Sequence, residues 1–146
     1  MNYDDVEILF AEDNIDDANL TLRALKKSGL TNSIFHVNDG AEAIDFIEKK
    51  GLYTSRKSQK PLKLILLDLK MPKVSGIEVL ERIKSNPLFK SIPVVILTSS
   101  KEDPDIKRCY ELGANSYIVK PVECDNFFNA IKELSFYWMI SNQPPQ

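Results

Sequence analysis

Short runs of apolar residues recur along the chain and predict five buried β-strands. Each run is four to six residues long, which suits a strand better than a helix. The runs are Val6–Ala11, Ser33–Val37, Leu62–Leu67, Pro93–Leu97 and Ser116–Val119. Strands that are apolar throughout are typical of a parallel sheet, because helices cover both of its faces.

Between and after these runs, apolar residues recur every three or four positions, as they do on one face of a helix. Five such stripes begin near Ala18, Ala41, Ile77, Ile106 and Phe127. The last stripe consists of Phe127, Phe128, Ile131, Leu134 and Trp138. We expect the aromatic side chains of this stripe to lie in the core.

Residues with special backbone preferences mark the ends of the predicted helices. Gly29, Gly51 and Gly113 follow the first, second and fourth stripes, where a left-handed glycine often ends a helix. Asp39 and Ser75 precede the second and third stripes and are good N-cap residues. These signals support the predicted boundaries independently of the hydrophobic spacing.

Five strand–helix units in series predict an α/β fold with a doubly wound parallel sheet and helices on both faces. The expected strand order is the flavodoxin-like order 2-1-3-4-5. We expect a single domain over residues 1–146, with its core at 6–134 and an aromatic C-terminal helix and tail at 135–146. The long connection Leu52–Lys63 is basic, and we expect a mobile loop with Arg56–Lys60 in solvent.

Composition and charge narrow the class of protein. The 146 residues carry a net charge of −2, so no bulk electrostatic effect favours nucleic acid or an anionic membrane surface. No stretch reaches about 18 apolar residues, and the N-terminus does not resemble a signal peptide. Cys109 and Cys124 lack the spacing of a metal or redox motif. We therefore expect a cytoplasmic protein without nucleic-acid or membrane partners.

Polar residues stand where four of the five predicted strands end. Glu12 and Asp13 follow the first strand, Asp68 ends the third, Thr98 ends the fourth, and Lys120 ends the fifth. Taken singly, each has an ordinary explanation as a solvated loop residue, a turn residue or a backbone cap. Ligands of open parallel sheets, however, bind beyond the carboxyl ends of the strands, where these residues converge.

The charges at this edge indicate a cation and a phosphoryl group. Strands one and three are neighbours in the expected order, so Glu12, Asp13 and Asp68 share one pocket. Two like charges ~4 Å apart repel by roughly 4 kcal/mol at an effective dielectric constant of ~20. Hard carboxylate oxygens suit Mg²⁺, and a nearby lysine and hydroxyl suit a transferring phosphoryl group. A carboxylate beside the metal can attack phosphorus and form an aspartyl phosphate.

Four strings in the chain resemble the response-regulator receiver family in order and spacing: ILFAEDN, LILLDLKMPKVSG, VVILTSS and GANSYIVKPV. The resemblance extends from about Val6 to Leu134. It implies that Asp68 accepts a phosphoryl group from a sensor histidine kinase. It also implies a Mg²⁺ ion held by Asp13, by Asp68, by the backbone carbonyl of Lys70, and by Glu12 through water.

The same resemblance assigns roles to the remaining residues of the edge. Lys120 matches the phosphoryl-binding lysine, Thr98 the switch hydroxyl, and Tyr117 the aromatic residue that turns inward with it. Ser99 matches the small residue that leaves room for the acyl phosphate. The chain is then a signalling phosphoacceptor of a two-component phosphorelay, with self-catalysed phosphotransfer and slow autodephosphorylation. We expect a stand-alone regulator that signals through a changed shape and protein contacts.

A narrower resemblance points to the stand-alone regulators that partner bacterial phytochromes. It rests on the basic loop before the third strand, on LILLDLKMP, and on the C-terminal stretch FYWMISNQPP. The expected sensor kinase is, on this resemblance, a phytochrome. Residues Phe136–Ile140 are apolar on every face of a helix, so we expect them to form a homodimer interface.

Two other interpretations compete with the signalling receiver. An aspartate-nucleophile phosphatase needs a second acidic residue two positions after the nucleophile, where this chain has Lys70. A receiver that needs no phosphate is disfavoured because no site residue is missing. His36 is the only histidine, which excludes Ser-His-Asp catalysis, and we expect it to be a strand residue away from the acidic edge.

Overall fold

The computed structural model describes residues 3–29, 33–56 and 62–134. Within these ranges the strands are β1 (Ile8–Ala11), β2 (Ile34–Val37), β3 (Leu64–Asp68), β4 (Val94–Thr98) and β5 (Ser116–Val119). The α-helices are α1 (Ile15–Lys27), α2 (Gly40–Glu48), α3 (Gly76–Lys84), α4 (Asp105–Leu112) and α5 (Cys124–Ile131). Short 3₁₀ helices cover Tyr3–Asp5, Gly51–Tyr53 and Lys132–Leu134. The extent of the single domain stays a prediction, and its segment 135–146 lies outside the described residues.

The five strands form one parallel sheet in the order β2-β1-β3-β4-β5, which confirms the predicted fold. The register places Ala11 opposite Leu67 and Thr98 opposite Val119. Asp68, the last residue of β3, lies opposite Leu97 of β4. The ends of these strands are therefore level with one another, and the polar residues found there meet at one edge.

Two apolar cores lie on opposite faces of the sheet. Helices α1 and α5 cover one face, where Phe10, Leu25 and Phe127 are fully buried. Helices α2, α3 and α4 cover the other face, which includes Phe46 and Leu80. Each large apolar side chain buried in this way contributes about 1.5–3 kcal/mol. Helices thus cover both faces of the sheet, as the sequence predicted.

Local capping agrees with the sequence at most helix ends. Asp39 accepts a hydrogen bond from the N–H of Glu42 at 2.7 Å, and Ser75 caps α3 in the same way. Gly113 ends α4 in a left-handed conformation with φ of 110°. The prediction for Gly51 was wrong. The left-handed cap of α2 is Lys49 with φ of 60°, and Gly51 instead begins a 3₁₀ helix.

The prediction that Phe128 belongs to the core was also wrong. Its neighbour Phe127 is fully buried, whereas Phe128 is 38% exposed. Consecutive residues of a helix point about 100° apart, so one face of α5 cannot bury both rings. Leu134 is half-buried against the core, and Trp138 lies outside the described residues.

The connection before β3 is described at its start, where Tyr53 and Arg56 are buried, and Lys57–Lys60 of the expected solvated loop lie outside the described residues. Tyr53 is buried and joins Tyr3, Phe35 and Phe46 in an aromatic cluster with ring centroids 5.0–6.0 Å apart. The expectation of a solvated Arg56 was wrong, because only 6% of this residue is exposed. Its guanidinium lies 4.4 Å from the Phe46 ring centroid and donates to the Phe46 carbonyl at 3.1 Å. The aromatic surface thus replaces water around the charged group.

Among the residues that the structure describes, no helix is both long and apolar enough to cross a membrane.

Candidate functional site

Three carboxylates meet at the carboxyl edge of the sheet. Oxygen atoms of Glu12, Asp13 and Asp68 all lie within 4.8 Å of one another. Glu12 follows β1 directly and Asp68 ends the neighbouring β3, so the register of these strands brings the two side chains together. Glu12 is fully buried and Asp68 is 4% exposed, whereas Asp13 lies in solvent. The cluster is therefore buried on the side of Glu12 and Asp68, and solvent reaches it at Asp13.

The backbone around Glu12 is fixed by contacts with the adjacent strand. Its N–H donates to the carbonyl of Val37 at 3.0 Å, and its Oε2 accepts from the N–H of Asn14 at 3.2 Å. The His36 ring nitrogen Nε2 lies 2.7 Å from the Glu12 carbonyl oxygen, while its ring packs on Phe10. The expectation that His36 lies away from the acidic edge was wrong, because β2 and β1 end side by side.

Lys120 supplies the positive charge of the cluster. Its Nζ lies 2.8 Å from Glu12 Oε1, 3.1 Å from Asp68 Oδ1 and 3.2 Å from Asp17 Oδ2. The lysine follows β5, and its side chain is 17% exposed. The ammonium forms a short ion pair with the buried Glu12 Oε1, and no other described residue donates a hydrogen bond to that oxygen. This buried oxygen thus retains a lone pair for another ligand.

Burial and neighbouring charges change the pKa values of these groups. Burial raises the pKa of Asp68 to about 7, Glu12 contributes in the same direction, and Lys120 opposes them. Burial alone lowers the pKa of Lys120, but Glu12 and Asp68 outweigh it and raise that pKa above its ordinary value. The ammonium therefore stays charged at neutral pH, and it is shared by several carboxylates.

The donor set fits a divalent cation. The three clustered carboxylates offer hard oxygen ligands, and one ammonium cannot balance their combined charge. A divalent cation needs negatively charged ligands and a path from solvent. The exposed carboxylate of Asp13 provides both. The acidic cluster can therefore hold a metal ion, as the sequence predicted.

A small cavity opens beside Asp68. Its volume is about 80 Å³, room for two or three waters at ~30 Å³ each. The lining residues are Asp68, Leu69, Lys70, Thr98, Ser99, Asp103 and Lys120. Except for Leu69 and Asp103, all were predicted to belong to the site.

The residues predicted to act as a switch lie at and behind this cavity. Thr98 is 1% exposed, and its hydroxyl donates to the Ser100 carbonyl at 3.2 Å. Tyr117 is half-buried in β5, and its ring packs edge-on against Tyr110 of α4, with centroids 6.2 Å apart. Thr98 thus faces the loop after β4 in this structure, and Tyr117 contacts the helix that follows that loop.

Two further acidic residues at the site were missed by the sequence analysis. Asp17 contacts Lys120 from the first turn of α1, and its place four residues after Asp13 was a usable signal. Asp103 has a side chain only 7% exposed, accepts from the N–H of Asp105 and lies 3.8 Å from Lys70 Nζ. Nothing in the sequence marks Asp103, because its position depends on the path of the loop after β4.

Gly76 determines how closely α3 approaches the acidic residue of β3. Its N–H donates to the Leu69 carbonyl at 3.0 Å. A Cβ atom at this position would lie 2.3 Å from the carbonyl oxygen of Asp68, well inside van der Waals contact. Only glycine fits here, so this residue fixes the loop that carries Lys70.

Comparison with known proteins places these features in a family. The response regulator receiver domain family matches residues 8–132. The solved bacteriophytochrome response regulator RtBRR is 48% identical, with a TM-score of 0.84, over 94% of this chain and 82% of that chain.

Two curated relatives agree with this result. Response regulator Rcp1 from Synechocystis is 38% identical over 90% of this chain and 88% of its own length, and a structure of its Mn²⁺-bound form is known. The probable methanogenesis regulatory protein FilR2 from Methanothrix harundinacea is 38% identical over 94% of this chain and 86% of its own length. The sheet, the clustered carboxylates and these matches together show that the chain belongs to the response regulator receiver domain family.

Proposed function

We propose that this protein is a response regulator of a two-component phosphorelay and that Asp68 is its phosphoacceptor. The observation that carries the proposal is the position of Asp68. It is buried at the end of β3, 3.1 Å from Lys120, with oxygens of Glu12 and Asp13 within 4.8 Å of its own. Glu12 is buried against the same lysine, but of the three clustered carboxylates only Asp68 lines the small cavity beside Lys120.

The reaction follows from the positions of these groups. An oxygen of the Asp68 carboxylate attacks the phosphorus of a phosphohistidine, the P–N bond breaks, and the histidine keeps that electron pair. Lys120 stabilises the charge that develops on the phosphoryl oxygens. Thr98 and Ser99 line the cavity that receives the group. The Thr98 hydroxyl then leaves the Ser100 carbonyl for a phosphoryl oxygen, and Tyr117 turns inward behind it.

The proposed metal is Mg²⁺, held by Asp13, Asp68 and the backbone carbonyl of Lys70, with Glu12 acting through water. When bound, the ion neutralises the carboxylates and the incoming phosphoryl group. Asp13 provides the opening to solvent, and Oε1 of Glu12 provides an acceptor for a water. The Mn²⁺-bound form of the relative Rcp1 supports a divalent cation of this size class.

On this proposal the protein is cytoplasmic, and its partner in the reaction is a sensor histidine kinase. The relative RtBRR is described as a bacteriophytochrome response regulator, which supports a phytochrome as that kinase. The receiver catalyses its own phosphotransfer and a slow autodephosphorylation, and it acts as a signalling switch rather than a metabolic enzyme. Its output is a protein contact through the face of β4, β5 and α5, with a homodimer formed through residues 136–140.

The phosphatase alternative is not favoured. Its general acid belongs two residues after the nucleophile, and that position is Lys70. The lysine side chain is 76% exposed and lies 3.8 Å from Asp103. It cannot serve as a carboxylic acid toward a leaving group.

Intact-mass spectrometry tests the proposal directly. Incubation with Mg²⁺ and acetyl phosphate is expected to add one phosphoryl mass to the wild-type chain, since the P–O bond to acetate breaks as the Asp68–phosphorus bond forms. Asp68→Asn is expected to abolish the gain. Asp125→Asn, which removes an exposed carboxylate on α5, is the matched control and is expected to be labelled normally. Undiminished labelling of Asp68→Asn would move the phosphoacceptor elsewhere.

A further inference from the structure

Lys120 faces more carboxylates than the proposed reaction uses. A lysine ammonium has three N–H donors, and Nζ of Lys120 lies within 3.2 Å of Glu12, Asp68 and Asp17. Asp17 belongs to α1, 103 residues away in sequence, and has no role in the predicted site. Its Oδ2 accepts a hydrogen bond from Nζ at 3.2 Å, and the same ammonium forms ion pairs with Glu12 Oε1 at 2.8 Å and Asp68 Oδ1 at 3.1 Å.

The contact with Asp17 competes with the phosphoryl group. Lys120 lines the cavity beside Asp68, so a phosphoryl group there needs one of its N–H donors. The three carboxylates already occupy the ammonium. Of these side chains, Asp17 is 38% exposed, against 0% for Glu12 and 6% for Asp68. Water can hydrate the exposed Asp17 carboxylate most readily once Lys120 leaves it. Breaking the contact with Asp17 therefore costs less free energy than breaking either of the other two.

We propose that Asp17 is a positioning residue that holds Lys120 in the unphosphorylated state and releases it when Asp68 is phosphorylated. The inference rests on the proposed function, since it concerns the same lysine and the same phosphoryl group. The ammonium moves from Asp17 toward the phosphoryl oxygens, and Asp17 becomes hydrated. Asp17 therefore slows phosphorylation of Asp68 in the resting protein. It also makes the contact between α1 and Lys120 depend on whether Asp68 is phosphorylated.

The first test compares three variants for phosphorylation and for binding of a phosphoryl analogue. Asp17→Asn is expected to raise the initial rate with acetyl phosphate, and the affinity for beryllofluoride in Mg²⁺, by about two- to fivefold. Asp16→Asn removes an equal charge from the same helical turn, where Asp16 is exposed, and is expected to leave both quantities near wild type. Asp17→Glu, which keeps the carboxylate, is expected to return both toward wild type.

Several results would overturn the inference. A slower reaction or weaker beryllofluoride binding in Asp17→Asn would mean that Asp17 prepares Lys120 rather than restraining it. An equal gain in Asp16→Asn would assign the effect to net charge alone. An unchanged phosphorylation rate and beryllofluoride affinity in Asp17→Asn would show that Asp17 does not compete with the phosphoryl group for Lys120. Intact mass measures the rate, and ¹⁹F nuclear magnetic resonance of bound beryllofluoride measures the affinity without any chemical step.

The second test needs neither metal nor phosphate. A double-mutant cycle of Asp17→Asn and Lys120→Met, followed by urea unfolding in EDTA, measures the contact itself. The double variant is expected to shift the urea midpoint by less than the sum of the two single shifts, and additive shifts would contradict the contact. If wild type gains no phosphoryl mass, the proposed function fails while this cycle stands. The first test needs no Lys120 variant, so it remains decisive if Lys120→Met does not fold.

Discussion

Asp68 is the residue whose burial in the folded protein opposes its proposed role. Its carboxyl group is buried beside Glu12, and its pKa rises from an ordinary value of 3.8 to about 7. The folded protein without a cation therefore disfavours the charged carboxylate that the proposed phosphotransfer needs. Raised pKa values of this kind are common at functional sites, because the arrangement that binds a ligand is unfavourable without it.

The first prediction concerns stability against pH in the metal-free protein. Between about pH 4 and 7, folded Asp68 retains a proton that the unfolded chain has lost, so the free energy of unfolding falls as pH rises. The contribution of Asp68 reaches at most about 4 kcal/mol, at about 1.4 kcal/mol per pKa unit. Asp68→Asn is expected to lose this decline and to be more stable than wild type at pH 8.

Urea unfolding in EDTA at pH 5 and pH 8 measures the effect. Asp125→Asn, with its carboxylate in solvent, is the control and is expected to follow wild type. The same decline with pH in Asp68→Asn as in wild type would assign the loss of stability to other groups.

The second prediction concerns Asp13, the proposed metal ligand. Because Asp13 is exposed, its replacement by alanine is expected to change the stability of the metal-free protein little. Mg²⁺ at about ten times its dissociation constant adds about 1.4 kcal/mol to wild type, which raises Tm by a few degrees. Asp13→Ala is expected to lose this shift, and Asp16→Ala to keep it. A thermal scan in which Asp13→Ala responds like wild type would exclude Asp13 as a ligand.

At the scale of strands and helices, much of the site was predictable because it depends on strand ends. A fully apolar run identifies a buried strand, and the residue after it must reach the carboxyl edge of the sheet. The order of the strands then placed Glu12 beside Asp68, and Ala11 is indeed opposite Leu67 in the structure. Thr98 and Lys120 follow from the same argument, since Thr98 is opposite Val119. The roles of these residues remain predictions.

The parts that could not be predicted depend on how elements are rotated and how loops run. Asp17 reaches Lys120 because α1 presents its first turn to the end of β5, and sequence spacing does not fix that rotation. Asp103 reaches Lys70 only through the path of the loop after β4. Arg56 was expected in solvent because its neighbours are polar, yet the aromatic ring of Phe46 covers it. Each is a contact between different elements, at separations from 10 to 103 residues in the chain.

The third prediction tests how the β3–α3 junction positions Asp68. Gly76→Ala would place a Cβ atom 2.3 Å from the Asp68 carbonyl, and relief of that overlap is expected to cost about 1–3 kcal/mol. The same displacement is expected to slow phosphorylation by acetyl phosphate. Gly29→Ala is the matched control. It meets no atom within 4 Å but has φ of +80°, so it loses stability through backbone strain alone.

Urea unfolding and the initial rate of phosphoryl mass gain are measured on both glycine variants. Together they separate the steric overlap with Asp68 from a general loss of stability. Gly29→Ala is expected to be less stable than wild type and to react at the wild-type rate. If Gly76→Ala also reacts at the wild-type rate, the close approach of α3 does not position Asp68.

For the molecule as a whole, the site joins elements from both faces of the sheet. Lys120 contacts Asp17 of α1, on one face, and Lys70 lies near Asp103 of the loop before α4, on the other. On the proposed function, a phosphoryl group at Asp68 would lie between these two contacts and alter both. Phe128 of α5 and Tyr110 of α4 expose large rings, and the Tyr110 ring packs against Tyr117 of β5. On the proposed function, a movement of Tyr117 would therefore change the exposed surface of α4.

The last prediction is that residues 136–140 form a homodimer interface. This segment lies outside the described residues, so the argument is from sequence: Phe136–Ile140 are consecutive apolar residues after a domain that has two complete cores. Each large apolar side chain gains about 1.5–3 kcal/mol when fully buried, and closed two-fold pairing is the commonest way to cover such a segment. Sedimentation at several concentrations is expected to show a dimer. Tyr137→Ala combined with Trp138→Ala is expected to give a monomer that still gains one phosphoryl mass at Asp68. A monomeric wild type at all concentrations, with and without phosphorylation, would instead assign the segment to the core of its own chain.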